Sequence, residues 1–140
     1  MEQITSLFLD ISGTSYQGYL TASYDDLVAV FGEPNGFECD KTDAEWWLQT
    51  PAGIATIYNW KNGKNYLGYY GANVKDITHW HVGGHNSEVV DLIVTKILRK
   101  LQEKENKYIK TLYNAYLKGH ITGRELLTLT KRYLCEKFQI

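Results

Sequence analysis

The chain has 140 residues, of which 44% are hydrophobic and 22% charged, and its formal net charge is −1. This composition excludes an intrinsically disordered chain, and a chain of this length buries enough surface to fold without a disulfide or metal staple. The sequence has no run near the roughly 20 apolar residues of a membrane span and opens without a basic, apolar leader, so we expect a cytoplasmic protein without membrane contact. The two cysteines, Cys39 and Cys135, are expected to be free thiols.

Charge is distributed unevenly along the chain. Residues 1–95 hold four lysines against twelve acidic residues, whereas residues 96–140 hold eleven Lys or Arg against four Glu. Such asymmetry is typical of an acidic body with a basic tail, and a basic tail contacts nucleic acid or an acidic protein surface. Alternatively, the tail neutralises the body of its own chain. We predict two parts, an acidic α+β body at 1–105 and a basic helical hairpin at 106–140.

The first third of the chain predicts two strands and a helix. Short apolar runs bounded by turn residues indicate strands at 4–11 and 16–22. Ser23 then has the features of a helix N-cap, and Gly32 has those of a helix C-terminus, so a helix of about two turns is expected at 24–31.

A β-hairpin is predicted at the centre of the chain. The segments AEWWLQT at 44–50 and IATIYNW at 54–60 flank a Pro-Ala-Gly connection. The second segment alternates strictly, so Tyr58 and Trp60 share one face of the strand while Ile57 lies on the other.

A last strand is predicted at 77–82, after which the apolar spacing becomes helical. Asn86 or Ser87 caps a helix that is expected to run to about residue 105, with a break near 104–107 where charges cluster. A helix at 107–118 follows, and Thr122 with Glu125 predicts a capping box for a last helix at 123–137. The predicted fold is α+β: an antiparallel sheet with a short helix and a longer helix packed on it, followed by a C-terminal helical hairpin.

The segment HWHVGGH holds the main candidates for a metal-binding or phosphate-binding site. His79 and His81 share one face of a strand, and His85 follows Gly83 and Gly84, so the three imidazoles are candidate metal ligands. The spacing is specific to no known class of zinc site. The alternatives are ordinary surface or partly buried strand histidines and a catalytic histidine that acts without a metal. The glycines before a helix can hold phosphate or form a tight turn. No catalytic residue and no cofactor is assigned.

Aromatic residues are concentrated between residues 46 and 80. Such residues form a core, anchor protein interfaces or stack on bases. The candidate interaction residues are Trp46, Trp47, Trp60, Trp80, Tyr69 and Tyr70, with Lys131 and Arg132 in the basic tail.

The region at 15–95 resembles a family of small uncharacterised proteins of bacteriophages and mobile elements. The resemblance lies in SYDDLVAVFGEPN, DKTDAEWWLQTPAGIATIYNWKNG and ITHWHVGGHN. It implies a context rather than an activity, because small phage accessory proteins often bind and block host machinery, including defence systems.

The segment at 109–134 is similar to the short C-terminal helical-pair domain. The residues that match are Gly119, Ile121, Thr122 and Glu125, whereas Gly-Arg replaces the acidic run that usually precedes this Glu. The resemblance implies an oligomerisation or docking element, with a homo-oligomer as one outcome.

Three functions follow for testing. The leading hypothesis is a phage-derived, non-enzymatic protein that inhibits a host defence complex, of the anti-CRISPR kind, in the host cytoplasm. The second is a small-molecule binder that sequesters a nucleotide signal between aromatic side chains. The third is a metal-dependent hydrolase that uses His79, His81 and His85.

Overall fold

The computed structural model describes residues 2–3, 11–37 and 39–138, and the predicted strand at 4–11 lies almost wholly outside them. The strands are β1 (Glu2–Gln3), β2 (Ser15–Thr21), β3 (Glu45–Thr50), β4 (Gly53–Tyr58) and β5 (His79–Gly84). The α-helices are α1 (Tyr24–Phe31), α2 (Lys64–Leu67), α3 (Glu88–Leu117) and α4 (Gly123–Phe138). Short 3₁₀ turns follow α2 at Gly68–Tyr70 and precede β5 at Val74–Asp76. The α+β prediction is confirmed.

The strands form one antiparallel sheet in the order β1-β3-β4-β5-β2. The predicted hairpin is confirmed as β3 and β4, which pair from Glu45 opposite Tyr58 to Thr50 opposite Gly53. Gly53 closes the turn with a φ of 95°, a left-handed conformation that favours glycine. The Thr50 hydroxyl supports the turn by donating to the Gly53 carbonyl at 2.6 Å.

One face of the sheet carries the hydrophobic core. Trp46, Leu48, Ile57, Trp80 and Val82 are fully buried there. The polar ends of both indoles are satisfied, because Trp46 Nε1 donates to the Gly32 carbonyl at 2.8 Å and Trp80 Nε1 donates to the Ala22 carbonyl at 2.9 Å. The core therefore holds two large aromatic side chains without an unpaired donor.

The first part of α3 packs on this face, as its apolar stripe predicts. Val89, Ile93 and Ile97 are buried. Two strand glycines permit the close approach, since a Cβ atom on Gly18 would lie 3.1 Å from Val90 Cγ2 and one on Gly84 would lie 2.7 Å from Val89 Cγ2. Glycine within a strand often marks such an approach of a second element.

The break predicted near residues 104–107 is wrong, because α3 is continuous from Glu88 to Leu117. The sequence has neither Gly nor Pro between Gly84 and Gly119. The charged residues at the expected break are good helix formers, so their clustering does not end the helix.

The contacts divide the chain into two units, residues 1–98 and 99–140. In the second unit, the capping box predicted before α4 is confirmed: Glu125 N donates to Thr122 Oγ1 at 3.1 Å, and Thr122 N donates to Glu125 Oε1 at 3.2 Å. The rings of Tyr108 and Tyr133 join α3 to α4, with centroids 4.5 Å apart. Over residues 99–136 no side chain is fully buried.

In the described part of the chain, no helix has the length and apolar character needed to cross a membrane.

Candidate functional site

The sheet face opposite the core carries a connected set of rings, which we call the aromatic face. Strand alternation places Tyr58 on this face, with Trp60 beyond the end of β4, as the sequence predicts, and it places His79 and His81 of β5 beside them. Strand β2 contributes two further rings. The aromatic face consists of Tyr16, Tyr19, Tyr58, Trp60, His79 and His81.

An irregularity in β2 brings both of its tyrosines to this face. Tyr19 pairs with His81 and Tyr16 pairs with Gly83, while the register shifts between Tyr16 and Gly18. In a regular strand, residues three apart point to opposite faces. The bulge inserts one extra residue and returns Tyr16 to the side of Tyr19.

His81 lies at the centre of the aromatic face. Its ring centroid is 4.8 Å from that of Tyr16, 5.6 Å from that of Tyr58 and 5.7 Å from that of His79. Trp60 lies nearly parallel to it, with an interplanar angle of 24° and centroids 6.5 Å apart. These contacts hold the rings as a surface rather than as separate side chains.

Two lysines border Trp60. The Nζ atoms of Lys41 and Lys61 each lie 5.6 Å from the centroid of the Trp60 ring, and Lys61 Nζ also lies 5.3 Å from the ring of Tyr66. The two lysine segments are joined because Lys61 N donates to the Lys41 carbonyl at 2.9 Å. Lys61 has a φ of 58°, which is uncommon for a residue with a side chain. Both positive charges are therefore held against an exposed indole.

A cavity of about 240 Å³ opens beside Trp60. Gly83 lines the cavity and has no side chain to fill it. A Cβ atom on Gly83 would lie 2.5 Å from Thr56 Oγ1. Glu45 and Tyr58, which pair across β3 and β4, stand at one side. The described residues that line the cavity are Ile11, Thr14, Ser15, Cys39, Thr42, Glu45, Thr56, Tyr58, Trp60 and Gly83.

Partial burial shifts the ionisation of three groups at this site. Burial raises the pKa of Glu45, and the neighbouring indole of Trp47 opposes the rise. Burial also raises the pKa of Tyr58, with smaller contributions from the charges of Glu45 and Tyr16. The pKa of His81 is lowered, first by burial and then by the charge of His79, so a neutral imidazole is favoured at pH 7.

A buried asparagine fixes the loops that carry Trp60 and the lysines. Asn59 is fully buried, and its Oδ1 accepts hydrogen bonds from the backbone N–H groups of Asp43 at 2.6 Å and Ala44 at 3.1 Å. Its Nδ2 donates to Asp43 Oδ1 at 2.8 Å and to Asn62 Oδ1 at 3.0 Å. The other carboxylate oxygen of Asp43 accepts from the backbone of Asn65 at the start of α2.

The predicted interaction residues are scattered. Trp46 and Trp80 lie in the core with no exposed surface, because helices cover the face of the sheet on which both side chains lie. The prediction that they contact a partner is therefore wrong. Trp47 is 9% exposed and packs against Phe37, with ring centroids 5.3 Å apart. Trp60 is 40% exposed and belongs to the aromatic face.

Tyr69 and Tyr70 are the most exposed of these candidates, at 90% and 89%. They occupy the 3₁₀ turn after α2, with ring centroids 5.5 Å apart. Lys131 and Arg132 are also exposed, on α4 in the second unit.

The three histidines proposed as metal ligands do not converge in the described part of the chain. His79 and His81 are neighbours, but His85 lies at the other end of β5, where its ring approaches Gly13 and Gly53. Among the described residues, no group of three His, Cys, Asp or Glu side chains converges as a metal site would require. This finding removes the geometric basis of the hydrolase hypothesis.

The glycine pair does not form a phosphate loop either. Gly83 and Gly84 belong to β5 itself and pair with β2 and β4. The start of α3 is already occupied, because Glu88 N donates to Asn86 Oδ1 at 3.1 Å, and its first turn carries Glu88 and Asp91. Two acidic side chains oppose an anion at this helix terminus.

Sequence reasoning missed several residues of the site: Tyr16, Tyr19, Lys41, Glu45 and Lys61. Their signals are weak, because each residue type is ordinary in a strand or loop and only long-range pairing brings them to Trp60. The amino-acid composition around Asn59 and Trp60 does not predict that Lys61 adopts a positive φ.

Comparison with known proteins gave no match to a family model, a curated protein or a solved structure.

Proposed function

We propose that this chain is a binding protein that sequesters a small ligand combining a planar ring with negative charge, of which a nucleotide is the closest chemical class. The observation that carries the proposal is the position of Trp60. Its exposed indole borders a cavity and lies 5.6 Å from each of two lysine ammonium groups.

The planar ring of the ligand would stack on the aromatic face. Base–aromatic stacking contributes about 1–3 kcal/mol per base, and Trp60 is the most exposed tryptophan of the chain. Ligand pockets usually measure about 300–1,000 Å³, so the cavity of about 240 Å³ matches one ring system rather than a whole ligand. The remainder of the ligand then lies outside the cavity.

The anionic part of the ligand has Lys41 and Lys61 at the rim. These lysines belong to a body in which acidic residues outnumber basic ones three to one, since residues 1–95 hold four lysines and twelve acids. Two of those four lysines border one tryptophan. A local positive site on an otherwise acidic surface favours a small anion over a long polyanion.

Fluorescence titration with nucleotides tests the proposal. Because Trp46, Trp47 and Trp80 are buried, we expect a stacked base to quench mainly Trp60. Trp60→Ala should abolish the quenching and weaken binding measured by calorimetry. The double variant Lys41→Ala/Lys61→Ala should weaken binding by about tenfold or more while preserving the preference among bases. Tyr70→Ala is the matched control, since it removes an exposed aromatic residue away from the cavity.

The two cysteines provide an independent footprint. Both are exposed, but Cys39 lines the cavity and Cys135 lies in the second unit. A bound nucleotide should slow alkylation of Cys39 and leave the rate at Cys135 unchanged. Absence of binding to any mono-, di- or cyclic nucleotide at millimolar concentration would refute the proposal.

A second candidate function is inhibition of a host defence complex by a phage-derived protein in the host cytoplasm. The observation that favours it is the exposure of Tyr69 and Tyr70, because adjacent exposed tyrosines are typical interface anchors. Lys131 and Arg132 would supply contacts to the nucleic acid of a nucleoprotein target.

Plaque assays in bacteria that carry a defined defence system test this second function. Expression of the protein should restore phage growth, and Tyr69→Ala/Tyr70→Ala should abolish the restoration. Trp60→Ala is the informative control. If Trp60→Ala alone abolishes the effect, the protein acts through its small ligand rather than through the tyrosine pair.

A further inference from the structure

Among the described residues that line the cavity beside Trp60, Glu45 is the one acidic side chain. The stem of this residue is clamped by a loop, because a Cβ atom on Gly36 would lie only 2.9 Å from Glu45 Cγ and 2.7 Å from Trp47 Nε1. Gly36 N also donates to the Glu45 carbonyl at 2.8 Å. The loop therefore closes one side of Glu45, and the cavity lies on another.

We propose that Glu45 selects a ligand ring that presents two adjacent N–H donors, as guanine does, and that this chain is a guanine-nucleotide binder. The inference rests on the proposed nucleotide-binding function and adds the identity of the base. Trp60 supplies the stacking surface, and the carboxylate of Glu45 reads the edge of the ring.

The chemistry of the bases makes this selection specific. An ionised carboxylate has two oxygen atoms that only accept hydrogen bonds, so it matches two parallel donors. Guanine presents N1–H and the 2-amino group side by side. Adenine presents one amino donor beside an acceptor nitrogen, which repels the second oxygen. Inosine keeps N1–H and lacks the 2-amino group. The difference between the affinities for the guanosine and inosine nucleotides therefore measures the hydrogen bond to the 2-amino group alone.

A neighbouring indole favours the charged form of Glu45. Trp47 Nε1 is buried and makes no hydrogen bond of good geometry to any described residue. Its N–H group lies beside the Glu45 side chain and lowers the pKa of the carboxyl, against the larger effect of burial. A buried N–H group without an acceptor destabilises a protein. The ionised carboxylate of Glu45, with a ligand bound, would accept a hydrogen bond from the Trp47 N–H group.

Calorimetry with guanosine, inosine and adenosine 5′-monophosphates tests the inference on the full chain. We expect the guanine nucleotide to bind about tenfold or more tightly than either of the others, which is the usual discrimination of one bidentate contact. Glu45→Gln replaces one oxygen by an N–H₂ group, which removes one acceptor from the guanine edge and can donate to the acceptor nitrogen of adenine, so the guanine preference should be lost or reversed.

Each outcome separates the inference from the function on which it rests. Equal affinity for the three nucleotides, or an adenine preference that strengthens at low pH as Glu45 protonates, overturns the guanine assignment and leaves nucleotide binding intact. No binding of any nucleotide overturns both. Circular dichroism and the emission of the buried tryptophans establish that Glu45→Gln is folded. Glu45→Asp, which retracts the carboxylate, should also lose the guanine preference, whereas a preference retained in both variants excludes Glu45 as the reader.

Discussion

Glu45 is placed where an ionised carboxyl destabilises the fold. It shares its cavity with Tyr58 and Trp60, and burial raises its pKa. When the pKa in the folded state lies above that in the unfolded state, stability is fully present below the unfolded value and is lost as the pH rises through the folded value. A residue that is unfavourable for stability and is aimed into a cavity is typical of a functional position.

This placement predicts a pH-dependent gain in stability on substitution. Glu45→Gln should raise the melting temperature at pH 7 relative to the parent protein, and the difference should shrink as the pH falls towards 4, because the parent carboxyl becomes increasingly protonated in both states. Calorimetric melting from pH 4 to pH 8 measures this. Glu136→Gln, at an exposed position of α4, is the control, and equal gains for both variants would contradict the argument.

His81 predicts a second titration. The pKa of His81 is lowered mainly by burial and less by His79. His79→Gln should therefore raise the pKa of His81 while leaving it below the ordinary value of about 6.5. Imidazole resonances followed by NMR give the pKa directly. A full return to 6.5 would show that the charge of His79, rather than burial, is the dominant cause.

The pH dependence of stability follows with the opposite sign to that of Glu45. Because the folded pKa of His81 is depressed, its contribution to stability is present above about pH 6.5 and is lost as the pH falls towards the folded value.

At the scale of elements, the loops around Trp60 depend on one amide. Asn59 is fully buried and makes hydrogen bonds to two backbone N–H groups and to the carboxylate of Asp43. Gly63 lies so close to this carboxylate that no side chain fits, since its Cβ would contact Asp43 Oδ1. The amide therefore ties the segment before β3 to the segment that carries Trp60 and Lys61.

Asn59→Ala should destabilise the protein by about 3 kcal/mol, because it leaves buried donors without an acceptor. Urea denaturation measures the loss. Asn59→Asp keeps an acceptor but places a second carboxylate beside Asp43, so it should be destabilising too. Asn114→Ala, at an exposed position of α3, should cause no loss. A small effect of Asn59→Ala would mean that water replaces the amide.

The continuity of α3 is a second property of an element. Asn106 is exposed in the middle of this helix. Asn106→Pro should cost about 3 kcal/mol and reduce the helical ellipticity, because proline removes a backbone hydrogen bond and clashes with the preceding turn. Asn106→Ala should be neutral or stabilising. Tolerance of proline would instead support a break between two helices at this position.

At the scale of the whole molecule, the two units differ in how much they bury. The unit at 1–98 contains the tryptophan core, whereas residues 99–136 contain no fully buried side chain. A groove of about 380 Å³ separates α3 from α4, lined by Ile109, Tyr113 and Leu126 among others. Local stability follows buried apolar contact, so the helical hairpin should open more readily than the sheet.

Hydrogen exchange followed by mass spectrometry tests this difference. Peptides from β3, β4 and β5 should be protected longest, and peptides from 99–138 should exchange by local opening at a lower free energy. Equal protection in both units would mean that the hairpin is stabilised by a partner, and dilution of the sample would then identify a second copy as that partner.

The sequence by itself determined the local elements. The alternation at 54–60 established that Tyr58 and Trp60 share a face opposite Ile57, and the residues Ser23 and Thr122 marked the starts of α1 and α4. These features follow from backbone sterics and short-range hydrogen bonds, which a few neighbouring residues decide.

Only the tertiary structure decided which face of the sheet the helices cover. That choice buried Trp46 and Trp80 and left Trp60 exposed, although all three have the same side chain. It also brought Lys41, Glu45 and Lys61 to Trp60 through strand pairing and loop hydrogen bonds. The physical reason is that burial and charge proximity depend on contacts between residues distant in the chain, and local periodicity carries no information about them.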